Sequence, residues 1–136
     1  MDEAWWRVHI DEVREKFSGD LVSSSQTIRK YGVESLGTMG VGWNPYGNSG
    51  AAALSLACLA STGRKYLIGY DCKKDGDRVH WHGDHPKGLG NAGSIAKWPA
   101  QFTKLRAANA AHRIFNCSRN TALVVFPRMT LEDALT

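Results

Sequence analysis

The stretch from Asn48 to Asp71 limits the fold more than any other part of the chain. Gly50-Ala51-Ala52-Ala53-Leu54-Ser55-Leu56-Ala57-Cys58-Leu59-Ala60 carries no charge and is apolar on nearly every side of a helix, so it should be buried. Asn48 or Ser49 can cap its start, and Thr62-Gly63 ends it. Arg64-Lys65 then leads into Tyr66-Leu67-Ile68-Gly69-Tyr70, a short apolar run typical of an internal strand, with Asp71 at its carboxyl end. A buried helix feeding into a buried strand predicts a helix packed on a sheet.

The flanking segments extend this pattern. Trp6, Ile10, Val13 and Phe17 follow helical spacing, with Asp11, Glu12, Arg14 and Glu15 outside. Ser18-Gly19-Asp20 should stop that helix, Gly19 as a left-handed cap. Trp5-Trp6 reads as core packing. Residues 21–48 suggest only short extended pieces before a glycine-rich, turn-rich stretch. Trp98, Phe102, Leu105 and Ala108 mark a further amphipathic helix with Pro99 in its first turn. Ile114-Phe115-Asn116-Cys117 reads as a strand, Leu123–Phe126 as a short apolar segment, and 131–135 as a terminal helix capped by Thr130. Helix, strand, long loop, helix, strand is half of a doubly wound arrangement. The expectation is one α/β domain over residues 1–136: a truncated Rossmann-like, three-layer domain with a short, mainly parallel sheet. Ligands of such sheets bind beyond the carboxyl ends of the strands. That edge would collect Asp71, the loop after it, and Ser118-Arg119-Asn120.

Composition excludes several classes. A chain of 136 residues is long enough for one core. No apolar run approaches the roughly 20 residues needed to span a bilayer, and the acidic, aromatic start is unlike a signal peptide. A cytoplasmic protein with no membrane partner is expected. Three scattered cysteines suggest reduced thiols rather than a disulfide framework. The net charge of +4 comes without any basic block, so nucleic acid is not an expected partner and an anionic ligand suits the balance.

Residues 72–97 form a long polar loop containing five glycines, and loops of that length are usually functional. Three of the five histidines fall within His80-Trp81-His82-Gly83-Asp84-His85. Neutral imidazoles at His80, His82 and His85 with Asp84 could bind a divalent metal, although the spacing matches no closed zinc pattern. One histidine, oriented by Asp71 or Asp84, could be a general base. The rings could also simply bond carbonyls in a turn. On an extended loop His80 and His82 share a face, and a turn at Gly83-Asp84 would return His85 to them. Asn48-Ser49-Gly50 at a helix start could receive a phosphate, although an ordinary capped helix reads the same. Arg119 could pair an anion, with Ser118 beside it.

The segments Gly47–Gly50, Leu67–Asp71, His80–Pro86 and Asn116–Leu123 together resemble a family of largely uncharacterised phage and prophage proteins. The helix-strand-Asp core more distantly resembles bacterial sialyltransferases and the glycosyltransferase-like motility accessory factors. That resemblance implies a nucleotide-sugar substrate and no metal required for the chemistry. Asn48, Ser49 and Gly50 would then cradle the nucleotide phosphate and Asp71 would line the pocket. One of His80, His82 or His85 would be the general base, while Ser118 and Arg119 would help hold the donor. The first βαβ unit of such proteins has no counterpart here. Either a second subunit completes the site, as a homo-oligomer would allow, or catalysis is lost. In the latter case the chain would be an inactive phage protein, in the host cytoplasm, that binds and inhibits a host factor such as a CRISPR-type defence component.

Overall fold

The computed structural model describes residues 3–36, 43–78, 80 and 83–136. The chain is a mixed α/β protein with short parallel sheets, divided into two compact units: residues 1–43 with 86–89, and residues 44–85 with 90–136. No helix of the described residues is long and apolar enough to cross a membrane.

In the first unit, helix α1 (Glu3–Lys16) buries Trp6 and Ile10, four residues apart on one face. Glu3 in its first turn and Arg14 and Lys16 in its last suit the helix dipole. Strands β1 (Val22–Ser23) and β2 (Glu34–Ser35) pair in parallel, Val22 opposite Glu34. A 3-10 turn over Thr27–Tyr31 connects them, closed by Gly32 at φ +66°. Trp6, Ile10, Ile28 and Val33 form the core of this unit. Trp5 meets Trp6 edge to face at 5.2 Å, and Lys30 pairs with Glu3. Two expectations fail here. Gly19 does not adopt a left-handed backbone, and Phe17 lies beyond the helix end, 54% exposed. The helix stops one residue before its apolar stripe does, which leaves that ring in water. Glycines 37, 40 and 42 of the turn-rich stretch lie outside the described residues.

The second unit holds helix α2 (Ser49–Ala60), strand β3 (Lys65–Leu67), helix α3 (Trp98–Ala108), strand β4 (Ile114–Asn116) and the short helix α4 (Leu131–Ala134). β3 and β4 are parallel, with Lys65 opposite Ile114 and Leu67 opposite Asn116. Lys65 and Leu67 alternate with Tyr66, so the two buried side chains of β3 share one face. Leu67, Ile114, Leu123 and Phe126 pack there against Ala51, Leu54 and Cys58 of α2 and Phe102 and Leu105 of α3. Tyr66 and Phe115 stack on the other face, 5.9 Å apart.

The expected internal strand over 65–70 is corrected on two counts. It ends at Leu67, because Gly69 turns the chain at φ +73° and leaves Ile68 62% exposed. The middle position also belongs to β4. Its Asn116 donates to Pro127 O at 2.8 Å and accepts from Met129 N–H at 3.2 Å, on the side away from β3. α2 is likewise covered on one side only. Ala51, Leu54, Ser55 and Cys58 are buried at helical spacing, whereas Leu59 is 50% exposed, because so small a sheet cannot enclose an all-apolar helix.

Lys65 is 8% exposed, and among the described residues its ammonium meets carbonyls and not a carboxylate. Its ammonium donates to Gly63 O at 2.9 Å and to Ser61 O, beyond the end of α2. It also lies 3.2 Å from His112 Nδ1. An ammonium has no acceptor, so that nitrogen must be the unprotonated one. The charge thus satisfies carbonyls where the helix dipole is negative. Lys65→Met, which keeps the stem and removes the donors, is expected to cost about 1–3 kcal/mol, read as a shift in the urea midpoint at unchanged slope.

Candidate functional site

Two parts of the second unit converge on Tyr70 and Asp71, in the chain just beyond β3. The first is the start of α2. Asn48 has extended backbone, and its Oδ1 accepts from Ala51 N–H at 2.7 Å, a side-chain cap. Its amide nitrogen donates to Gln101 Oε1 of α3 at 2.8 Å. The turn before it closes tightly on the same side chain: Gly47 stands at φ +88°, and a Cβ there would lie 2.4 Å from Gln101 Nε2. Gly50 is held less tightly, a Cβ on it falling 3.1 Å from the Tyr70 ring. Tyr70 donates its hydroxyl to Gly50 O at 3.3 Å, and burial pushes its phenol above the ordinary range. Ser49 is exposed. Asn48 is therefore the cap, and Gly50 is the point where the helix start meets Tyr70.

The second part is the loop after β4. Asn116 is fully buried; its Oδ1 accepts from Ser118 N–H at 3.0 Å and its amide nitrogen donates to Leu123 O at 3.0 Å. Ser118, also buried, accepts from Tyr70 N–H at 2.8 Å. Thr121 donates to Tyr70 O at 2.7 Å and accepts from Leu123 N–H at 2.9 Å. Arg128 donates to the carbonyls of Ser118 and Arg119. The Asp71 carbonyl accepts from Ala122 N–H at 2.7 Å, while the residue itself is exposed, as is Arg119. The structure thus joins Tyr70 and Asp71 to residues 118–123. It gives Ser118 an internal hydrogen bond and leaves the Asp71 and Arg119 side chains facing water.

The histidine loop contributes a third feature. Gly83 N–H reaches His80 O at 3.3 Å, closing a turn in which Gly83 takes φ +86°. His85 N–H donates to Asn91 Oδ1 at 2.7 Å. The His80 and His85 rings stand 4.7 Å apart, tilted by 59°, and both residues are half-buried. Asp84 between them is exposed. His82 and Trp81 lie outside the described residues. Among the described residues, no three His, Cys, Asp or Glu side chains gather to hold a metal.

Gln101, Tyr70 and Arg128 are participants that the sequence does not single out. The Asn48–Gln101 pair spans 53 residues, and only the spacing of Gln101 from Leu105 along a helix face hints at an inward direction. Cys72, at the mouth of the loop, takes φ +51° and packs against the core. Burial, with Asp71 adding a smaller repulsion, pushes its thiol up to about 11. At pH 8 its labelling by an aromatic disulfide is expected to run about a hundredfold slower than that of a free thiol. Absorbance kinetics on a chain whose other two cysteines are serine would check this.

Comparison of the chain with family models, with curated proteins and with solved structures finds no match.

Proposed function

We propose that the second unit is a shortened Rossmann-like, doubly wound domain that binds a nucleotide-sugar, and that the protein is a phage-encoded, glycosyltransferase-like protein. One observation carries most of this reading: the start of α2 meets the ring of Tyr70, three residues beyond the end of β3, at the Gly50–Tyr70 contact. In this reading the helix amino terminus stands near the chain that leaves a parallel strand, the region where α/β domains bind phosphorylated ligands. Asn48 already caps Ala51, so the amides of Ser49 and Gly50 are the groups for a donor phosphate. Arg119, exposed at the same edge, adds a cationic partner.

His80 and His85 supply the base in this reading. A neutral imidazole takes the proton of an acceptor hydroxyl, and the oxygen bonds to the anomeric carbon. The bond from that carbon to the nucleotide phosphate breaks with its electron pair on the phosphate oxygen. No metal is required for this step. With cytidine and uridine nucleotide-sugars, release of free nucleotide in the presence of a saccharide acceptor is expected from the wild-type chain. It should fall about 100-fold or more in His80→Ala or His85→Ala, and equal release from wild type and both variants would overturn the base assignment.

A second reading draws on Ile68 and Val124, 62% and 82% exposed. Apolar side chains so open suit a protein that keeps the fold but docks on a host factor. Tight nucleotide binding without turnover would not separate the two readings. Nucleotide release abolished by the histidine variants favours the enzyme, whereas no nucleotide binding at all favours the docking protein.

A further inference from the structure

We infer that the face of the β3–β4 sheet turned away from α2 and α3 binds single-stranded nucleic acid. This goes beyond the nucleotide-sugar reading and is independent of it.

The first support is the pair of rings on that face. Both helices pack on the side of Leu67 and Ile114. Tyr66 and Phe115 lie on the other side, half-buried, with their rings stacked 5.9 Å apart at 23°. Each ring keeps one face turned from its partner. Among the described residues β3 pairs with β4 alone, so the far face of Tyr66 looks toward the edge of the sheet. An aromatic face of this kind accepts a base of any identity, because every base has a π-face.

The second support is charge. Lys65 and Ile114 are partners in the ladder, so Arg64 and Arg113, one step earlier, also stand opposite each other. Both are exposed, and strand alternation puts them on the side of Tyr66 and Phe115. No ion pair of the described residues uses either guanidinium. Like charges directly opposite on neighbouring strands are destabilising. The segments that build the sheet and its two helices, 35–70 and 85–131, contain no Asp or Glu to offset them.

One class of partner complements both features. Its phosphates suit the guanidinium pair, and its unpaired bases suit the rings. An acidic peptide would use the arginines and leave the rings idle, and a duplex keeps its bases stacked inside. The lack of a basic block in the sequence does not oppose this surface, since strand register brings together arginines far apart along the chain.

The test is fluorescence polarisation of the full chain with labelled strands of about 12 nucleotides in about 50 mM salt. The probes are oligothymidylate, an abasic strand of the same length and a duplex. Oligothymidylate is expected to bind at micromolar concentration, and the other two about tenfold or more weaker. The paired variant Arg64→Ala, Arg113→Ala should weaken oligothymidylate by about tenfold or more and reduce the slope of log Kd against log salt by about 1.4. Tyr66→Leu, which keeps an apolar side chain, should weaken oligothymidylate by about tenfold and leave the abasic strand unchanged. The paired control Arg7→Ala, Arg29→Ala in the first unit should change nothing. All variants are checked by circular dichroism for retained helix. Absence of binding, an abasic strand as tight as oligothymidylate, or full affinity in the Arg64–Arg113 or Tyr66 variant would overturn the assignment. Self-association abolished by those variants, with no strand bound, would overturn it in favour of a second copy on this face. Excess nucleotide-sugar should not displace the strand, so failure here and failure of nucleotide-sugar binding at Ser49 and Gly50 are read separately.

Discussion

Asn116→Asp is expected to lower the stability of the second unit by about 3–5 kcal/mol at pH 7, a large share of the roughly 5–15 kcal/mol that holds a domain together. Asn116 has no exposed surface, and both ends of its amide are used. The oxygen accepts from Ser118 N–H, and the nitrogen donates to Leu123 O. Aspartate keeps the first bond and turns the second into two acceptors facing each other, while adding a charge in a buried position. Asn116→Ala removes both bonds and leaves Ser118 N–H and Leu123 O without that partner, at an expected cost of about 2–3 kcal/mol. The same loop should be looser in Thr121→Val, which loses the hydroxyl bonded to Tyr70 O. Urea unfolding followed by far-ultraviolet circular dichroism gives the order Asp worse than Ala worse than Val at 121. An aspartate variant within about 1 kcal/mol of wild type would contradict the account of this loop.

Phe102→Ala is expected to cost about 3–5 kcal/mol, the usual range for deleting a buried aromatic ring. The Phe102 ring is 1% exposed and lies edge-on to Tyr70 and Phe126, with centroids 5.7 and 6.2 Å away. It also lies close beneath Gly50, near the start of α2. Its loss opens a cavity directly behind the proposed binding edge and removes the surface on which Tyr70 rests. Phe102→Leu fills much of that space and should cost less than half as much. If the two variants unfold at the same urea concentration, the cavity is not what matters.

Much of the local structure was legible because local chemistry determines it. Asn48 and Thr130 cap their helices through bonds to residues three positions on, and a cap of that kind is written in neighbouring residues. Phe102 and Leu105 faced inward as their spacing required. What escaped was set by partners distant in sequence. An apolar run such as Tyr66–Tyr70 looks the same whether it forms a middle or an edge strand. The difference lies in Pro127 and Met129 pairing with Asn116, which no pattern within the run could reveal. The all-apolar helix misled for a related reason, since its coverage depends on the size of the sheet and not on its own residues. Within the site, Gly50 drew attention as a phosphate contact, and the structure shows it packed against Tyr70. Ser118, whose position after a strand suits a contact to the donor nucleotide, carries the Tyr70 N–H bond instead. Gly83, part of the turn expected at Gly83-Asp84, takes the positive φ that such a turn requires.

A nucleotide-sugar is proposed to bind where the start of α2 meets Tyr70, just beyond β3. Nuclear magnetic resonance titration of the ¹⁵N-labelled chain with cytidine and uridine nucleotide-sugars, up to about 5 mM, tests it at ligand levels where even millimolar affinity registers. Saturable shifts are expected at the amides of Ser49, Gly50 and Tyr70 and at the His80 and His85 rings, with residues of α1 unmoved. Spectra unchanged to the end of the titration, or shifts that leave Ser49 and Gly50 untouched, would contradict it.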